Sequence, residues 1–140
     1  MTIETFHANI RAGVRTRLLT LTGLPPVAWE ARDYAPVIGT PFIAETLRNN
    51  QSRVRALGRG GNQSHQLIQT LGLFFPSNSG TTAIDVLAGQ LLKLFEPGTS
   101  IAFGGDTAMV QEAERMGLVT QPDWINCPII VTMVGYTANL

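Results

Sequence analysis

This sequence has little that could carry out chemistry. Its one cysteine, Cys127, excludes an internal disulfide and carries no mark of an oxidising compartment. Charged side chains are few, 14% of 140 residues, and ten bases balance ten acids. A chain without net charge gains no long-range pull towards nucleic acid or anionic lipid, and it lacks the self-repulsion that keeps copies apart. The longest apolar run, residues 129–134, is broken by Thr132 and falls well short of the roughly 18 residues a membrane span needs. The amino-terminal stretch has Glu4 and an amphipathic pattern where a signal peptide would have a basic start and an apolar block. The expectation is a protein made and kept in a cytoplasm until it joins something.

Constellations for catalysis are scarce too. The two histidines, His7 and His65, stand alone in sequence, and no spacing favours a pairing with Cys127 or a metal site. No pair of acids is spaced for a metal, and there is no Gly-x-Ser-x-Gly elbow. The cluster Gly58-Arg59-Gly60-Gly61 lacks the Lys-Ser/Thr of a phosphate loop, and Gln63 stands where a dinucleotide fingerprint needs its last glycine. Gly104-Gly105-Asp106 reads as a turn with positive φ. Trp29 and Trp124 beside strand-like segments read as core or interface, with ligand stacking as the alternative. No catalytic residue, metal or cofactor is expected.

What remains is a pattern of elements. Ile3, Phe6, Ile10, Val14 and Leu18 form one stripe of a helix over 2–21, capped by Thr2 and stopped by Gly23 and Pro25-Pro26. Strands follow over 27–33, containing Trp29, and over 41–47, with a third over 65–75. Ile84, Leu87, Ala88, Leu91, Leu92 and Phe95 give a wide apolar face to a helix over 81–95, with Thr82 and Asp85 placed as a capping box. A short strand over 99–103 leads to residues 107–116, which have helical propensity but alternate, and which read as a strand. Residues 128–136 (PIIVTMVGY) form a β-branched, central strand. The class is α+β: one domain over 1–140, with two helices packed on a mixed or antiparallel sheet of five or six strands. At this length such a domain buries roughly two thirds of its unfolded surface.

Nine of the ten bases are arginine, and seven of them fall in two blocks, 11–17 and 48–59. The second block, RNNQSRVRALGRGGNQS over 48–64, holds Arg48, Arg53, Arg55 and Arg59 and no acid. It reads as a long loop between two strands; loops beyond about 12–15 residues either bind something or stay disordered. Arginine's planar fork suits protein or phosphate contacts. Three readings stay open: a solvated loop, a subunit or partner contact, and a nucleic-acid contact, the last without aromatics for base stacking. For the partner contact, Glu112 and Glu114 of an adjacent subunit are the acids expected to meet Arg53, Arg55 and Arg59, with Arg48 in the same surface.

The order of parts resembles the phage tail terminator family, the minor tail protein U-like proteins. The likeness spans nearly the whole chain. It rests on the amino-terminal helix, Trp29, and the segment Ala35-Pro36…Gly39-Thr40-Pro41-Phe42 before a variable loop. It continues through a strand ending in Phe75-Pro76, the turn Ser79-Gly80, a helix closing on Leu94-Phe95, a strand opening at Gly98, and Asp123-Trp124 before the last strand. The resemblance implies a non-enzymatic virion protein, without cofactor, that forms a six-membered ring on the tail tube. That ring would stop tube growth and present a surface to the head. Its partners would be its own copies, the tail tube protein and the head–tail connector protein. No membrane is involved, and DNA contact is limited to passage through the lumen. Virion tail localisation follows, with assembly in the host cytoplasm. The length and arginine content of 48–64 depart from the family pattern. The rival readings are a head-completion or neck protein of a tailed phage, an anion- or nucleic-acid-binding module using the arginine loop, and a small hydrolase.

Overall fold

The computed structural model describes residues 3–139, so the expected Thr2 cap lies outside the described residues. The first helix, α1 (Ile3–Leu18), buries Phe6, Ile10, Val14 and Leu18 completely or nearly so, whereas Ile3 is left exposed. It ends three residues before the expected Leu21, where turn-type hydrogen bonds replace the helical ladder. Two strands follow, β1 (Val27–Ala28) and β2 (Phe42–Val54). β3 (Asn62–Pro76) then leads into α2 (Thr82–Leu94), whose buried stripe is Ile84, Leu87, Ala88 and Leu91. The rest is β4 (Ser100–Phe103), β5 (Asp106–Arg115), β6 (Val119–Thr120) and β7 (Trp124–Ala138).

The expected α+β class with a mixed sheet holds. The strand order is β1-β2-β3-β7-β5-β4, with β6 on the end of β7, and only β1 to β2 is parallel. Residues 107–116 are a strand, as their alternation indicated, and Gly104 and Gly105 make the positive-φ turn before it. β7 is central, registered along its full length against β3. Its odd-numbered residues Cys127, Ile129, Val131 and Met133 join Leu67, Leu71 and Leu73 of β3 beneath both helices in one core. Even-numbered residues of both strands point to the opposite face, which no helix covers and which, apart from Ser64 and Gly72, is half-buried to exposed.

Three expectations need correction. The segment 48–64 is not a long loop: β2 continues to Val54 and β3 starts at Asn62, leaving a seven-residue connection. The strand expected over 27–33 is two residues long, because Ala31 takes a left-handed conformation (φ 63°) and turns the chain away. Past the end of β1, Glu30 occupies the β2 edge, its Oε1 accepting the Leu47 N–H at 3.1 Å. The capping box does not form either. The cap residue of α2 is Thr81, without a side-chain cap bond, and Asp85 instead accepts from Arg115 of β5.

Candidate interaction surface

The two arginine blocks have opposite fates. Arg11, Arg15 and Arg17 turn inward: Arg11 pairs with Glu30, Arg15 with the buried Glu45, and Arg17 Nε donates to Leu94 O at 2.7 Å. The Arg15 guanidinium also sits 5.1 Å over the Trp29 ring, so Trp29 belongs to the packing of this network. Trp124 meets Phe42 edge to face at 5.1 Å, likewise an internal contact.

Arg48, Arg53, Arg55 and Arg59 turn outward. Register places Arg48 beside Ile68 and Arg53 beside Ser64, both on the uncovered sheet face. Arg55, just past β2, donates from Nε to Ser64 Oγ at 3.2 Å, and Arg59 sits in the hairpin connection. Gln51, turned with its amide oxygen towards Arg53, accepts from Nε and Nη2 at 3.1 Å. On the far side of the same face, Glu112 lies opposite Thr132 and Glu114 opposite Ile130. All six residues are exposed, and among the described residues none forms an intrachain ion pair. They are therefore not brought together within one molecule. Arginines flank one side of the open face and glutamates the other, with β3 and β7 between.

A depression of about 250 Å³ lies between these flanks, lined by Arg53, Arg55, Ser64, Gln66, Gln111 and Tyr136 among others, with no acidic residue. Next to it, Thr107, Met109, Gln111, Val134 and Tyr136 line a mainly apolar hollow of about 310 Å³. Sequence reasoning singled out none of the residues in this second hollow. The signal was present in β7, where Thr132, Val134 and Tyr136 alternate with core positions and so must face the other way.

The structure also brings together the two histidines, which sequence spacing left apart. Their rings are 5.9 Å from each other, with Phe6 packed 5.1 Å from His65. His65 is buried, its Nδ1 2.7 Å from Ser52 Oγ and its Nε2 2.8 Å from Thr137 Oγ1. Cys127 lies eight positions along β7 from the partner of His65, so neither histidine meets it. Burial raises the Cys127 thiol pKa, which leaves the group inert. Burial first, and repulsion from His7 second, lower the His65 pKa below 6.5. The folded protein thus holds neutral His65 while the unfolded chain takes up a proton. Stability is full above about pH 6.5 and falls as pH drops from there through the folded value. Urea midpoints for the wild type and His65→Gln should therefore converge between pH 7.5 and pH 5. A gap that stays constant over that range contradicts this linkage.

A family described as phage tail terminator protein matches residues 9–132. The chain belongs to the phage tail terminator family. The match runs from the second turn of α1 into β7 and includes all six exposed charged residues. No curated protein matches. Of sixteen matching solved chains, one superposes with a TM-score of 0.72 over 100% of this chain and 97% of its own, at 16% identity, a likeness of fold. Tail terminator proteins are structural, so this chain has a structural role in the phage tail. Its contacts are with tail components, and no helix among the described residues is long and apolar enough to cross a membrane.

Proposed function

We propose that this tail terminator protein is the subunit of a ring, six-membered as in the proteins it resembles, that caps the tail tube. The ring ends tube polymerisation and offers its other side to the head–tail connector protein. Tube growth is a head-to-tail association that continues until its free surface is covered. A capping ring therefore needs one side that matches the tube and another that accepts no further tube subunit.

One observation carries the ring reading: arginines and glutamates without an ion pair among the described residues occupy opposite flanks of one uncovered sheet face. Within a monomer these charges gain nothing from each other. Between copies, Arg53, Arg55 and Arg59 meet Glu112 and Glu114, and Arg48 extends the basic flank. The acid-free depression at Arg53 and Arg55 is where a carboxylate of the adjacent subunit is received. Charge-assisted pairs of this kind fix orientation as well as adding affinity.

Reversing two of the charges, Arg53→Glu with Arg55→Glu, should abolish rings in negative-stain images and in native mass measurements. The far-ultraviolet circular dichroism should remain that of the wild type, since neither side chain supports the core. Rings of unchanged abundance remove the charge-pairing reading. The same acid-free depression also favours a second reading, an anion- or nucleic-acid-binding module. That reading calls for salt-sensitive DNA binding by a monomer.

A further inference from the structure

We propose that neighbouring copies join by continuing the sheet: the outer edge of β2 in one copy pairs with the outer edge of β5 in the next. Arg53 and Arg55 then stand across from Glu112 and Glu114. This rests on the ring reading above and adds the backbone geometry of the contact.

Both strands run on past their outer neighbours. β1 pairs with β2 only at Ile43 and Ala44, and the side chain of Glu30 closes the edge at Leu47. β4 pairs with β5 only over 106–109, with Gly98 and Thr99 extending the contact to Val110. Among the described residues no strand then covers β2 from Arg48 to Val54, or β5 from Gln111 to Arg115. These free edges lie on opposite sides of the β2-β3-β7-β5 run, three inter-strand spacings or roughly 14 Å apart. Contact between them is head to tail, the kind that closes into a ring when the rotation permits.

The hydrogen-bond phases fit as well. Arg55 N–H donates to Asn62 O, so alternation turns the N–H and C=O of Ser52 and Val54 outward. Met116 N–H donates to Pro128 O, so those of Ala113 and Arg115 face outward on the other edge. Among the described residues each edge thus offers two residues with free donors and acceptors, enough for a short ladder.

Side-chain direction supplies an independent match. Arg53 and Arg55 project from the open face two residues apart, and so do Glu112 and Glu114. Two residues along a strand span roughly 6.5–7 Å, so the charges repeat at one spacing on both edges. A sheet continued across the contact sets the two pairs side by side on one face, where opposite charges stabilise cross-strand neighbours. Both edges also carry a bulge, at Asn50 and at Gln111. Bulges and charges discourage indiscriminate strand pairing. The edge left open is selective for a partner of matching charge, and that partner is a second copy.

The test uses the full chain at high concentration, with native mass and negative-stain images as readouts. Ala113→Pro and Val54→Pro each remove one outward N–H from opposite edges and leave every charge in place. At least one should remain folded by circular dichroism, and the ring fraction of that variant should fall at least tenfold. Arg53→Glu/Arg55→Glu and Glu112→Arg/Glu114→Arg should each fail to form rings alone. An equal mixture of the two should restore rings of alternating copies. If the wild type forms rings and both folded proline variants keep them, the sheet continuation is overturned and the ring reading survives. If the charge variants lose rings while the proline variants do not, the contact is charge pairing without strand pairing, and this proposal fails. A wild type that stays monomeric even with tube ends present removes the ring reading itself.

Discussion

Replacing Glu45 with alanine should cost about 3 kcal/mol of stability, the low end of the loss expected when one partner of a buried ion pair is removed, because Arg15 stays 27% exposed. Glu45 is 2% exposed. Its Oε1 accepts from Arg15 Nε at 3.1 Å, from Arg15 Nη2 at 2.6 Å and from the Glu30 N–H at 3.1 Å, and Oε2 accepts from Gln69 at 3.0 Å. Through Glu30, whose pKa is lowered chiefly by its hydrogen bond from Arg11 and next by the Leu47 N–H, the network reaches the edge of β2. Four parts of the fold thus meet at one carboxylate: α1, the turn after β1, β2 and β3. Alanine leaves Arg15 facing a void and the Gln69 amide with only the longer bond to Thr70 O, at 3.4 Å. Urea unfolding should show a lower midpoint with an unchanged slope, since the native fold is kept. Glu45→Gln, which preserves shape and some acceptor capacity, should lose less. A loss below about 1 kcal/mol for alanine contradicts the account.

Gly135→Ala should cost about 3 kcal/mol, the upper end of the usual range for overpacking a core. A Cβ there sits 2.6 Å from Phe6 Cε1, closer still to Cζ, and 2.9 Å from the Thr107 carbonyl oxygen. Phe6 is fully buried and packed against the His65 ring, so the aromatic ring has nowhere to retreat. Phe6→Leu should relieve part of the clash, making the double variant more stable than the sum of the two single losses. The carbonyl contact, made by backbone, sets the part that is not relieved. Additive losses in a double-mutant cycle would show that the ring is not the obstacle.

Much of this fold was legible because burial imposes a period. The stripe Phe6-Ile10-Val14-Leu18 and the wider face of α2 announce helices, and β7 announces a buried strand. The arm of β2 announced nothing. From Arg48 to Val54 every residue is exposed, so no alternation of apolar and polar marks it as a strand. It is extended because β3, across a seven-residue connection, pairs with it, and β3 is in turn held by β7, which is distant in sequence. That β1 is short was equally hidden, since the interruption comes from a left-handed Ala31 and from a Glu30 side chain standing in for backbone.

The candidate surface was half legible for the same reason. The exposed arginines and the glutamates were visible as charge segregation, but their placement on opposite flanks of one face needed the register. The first arginine block looked much like the second and is absorbed internally, because Glu30, Glu45 and the end of α2 happen to lie within its reach. Composition alone does not separate a paired guanidinium from one that waits for a partner.

The position of β7 between β3 and β5 has a consequence for how the molecule is made. Among the described residues, 124–138 are synthesised after the other strands, and they alone join the β1-β2-β3 half to the β5-β4 half. Without them, nothing in the strand order connects the two halves of the sheet. Contacts between distant segments of this kind slow folding. The open face that carries both charged flanks therefore exists only once these residues are in place, and the proposed contact between copies waits for them.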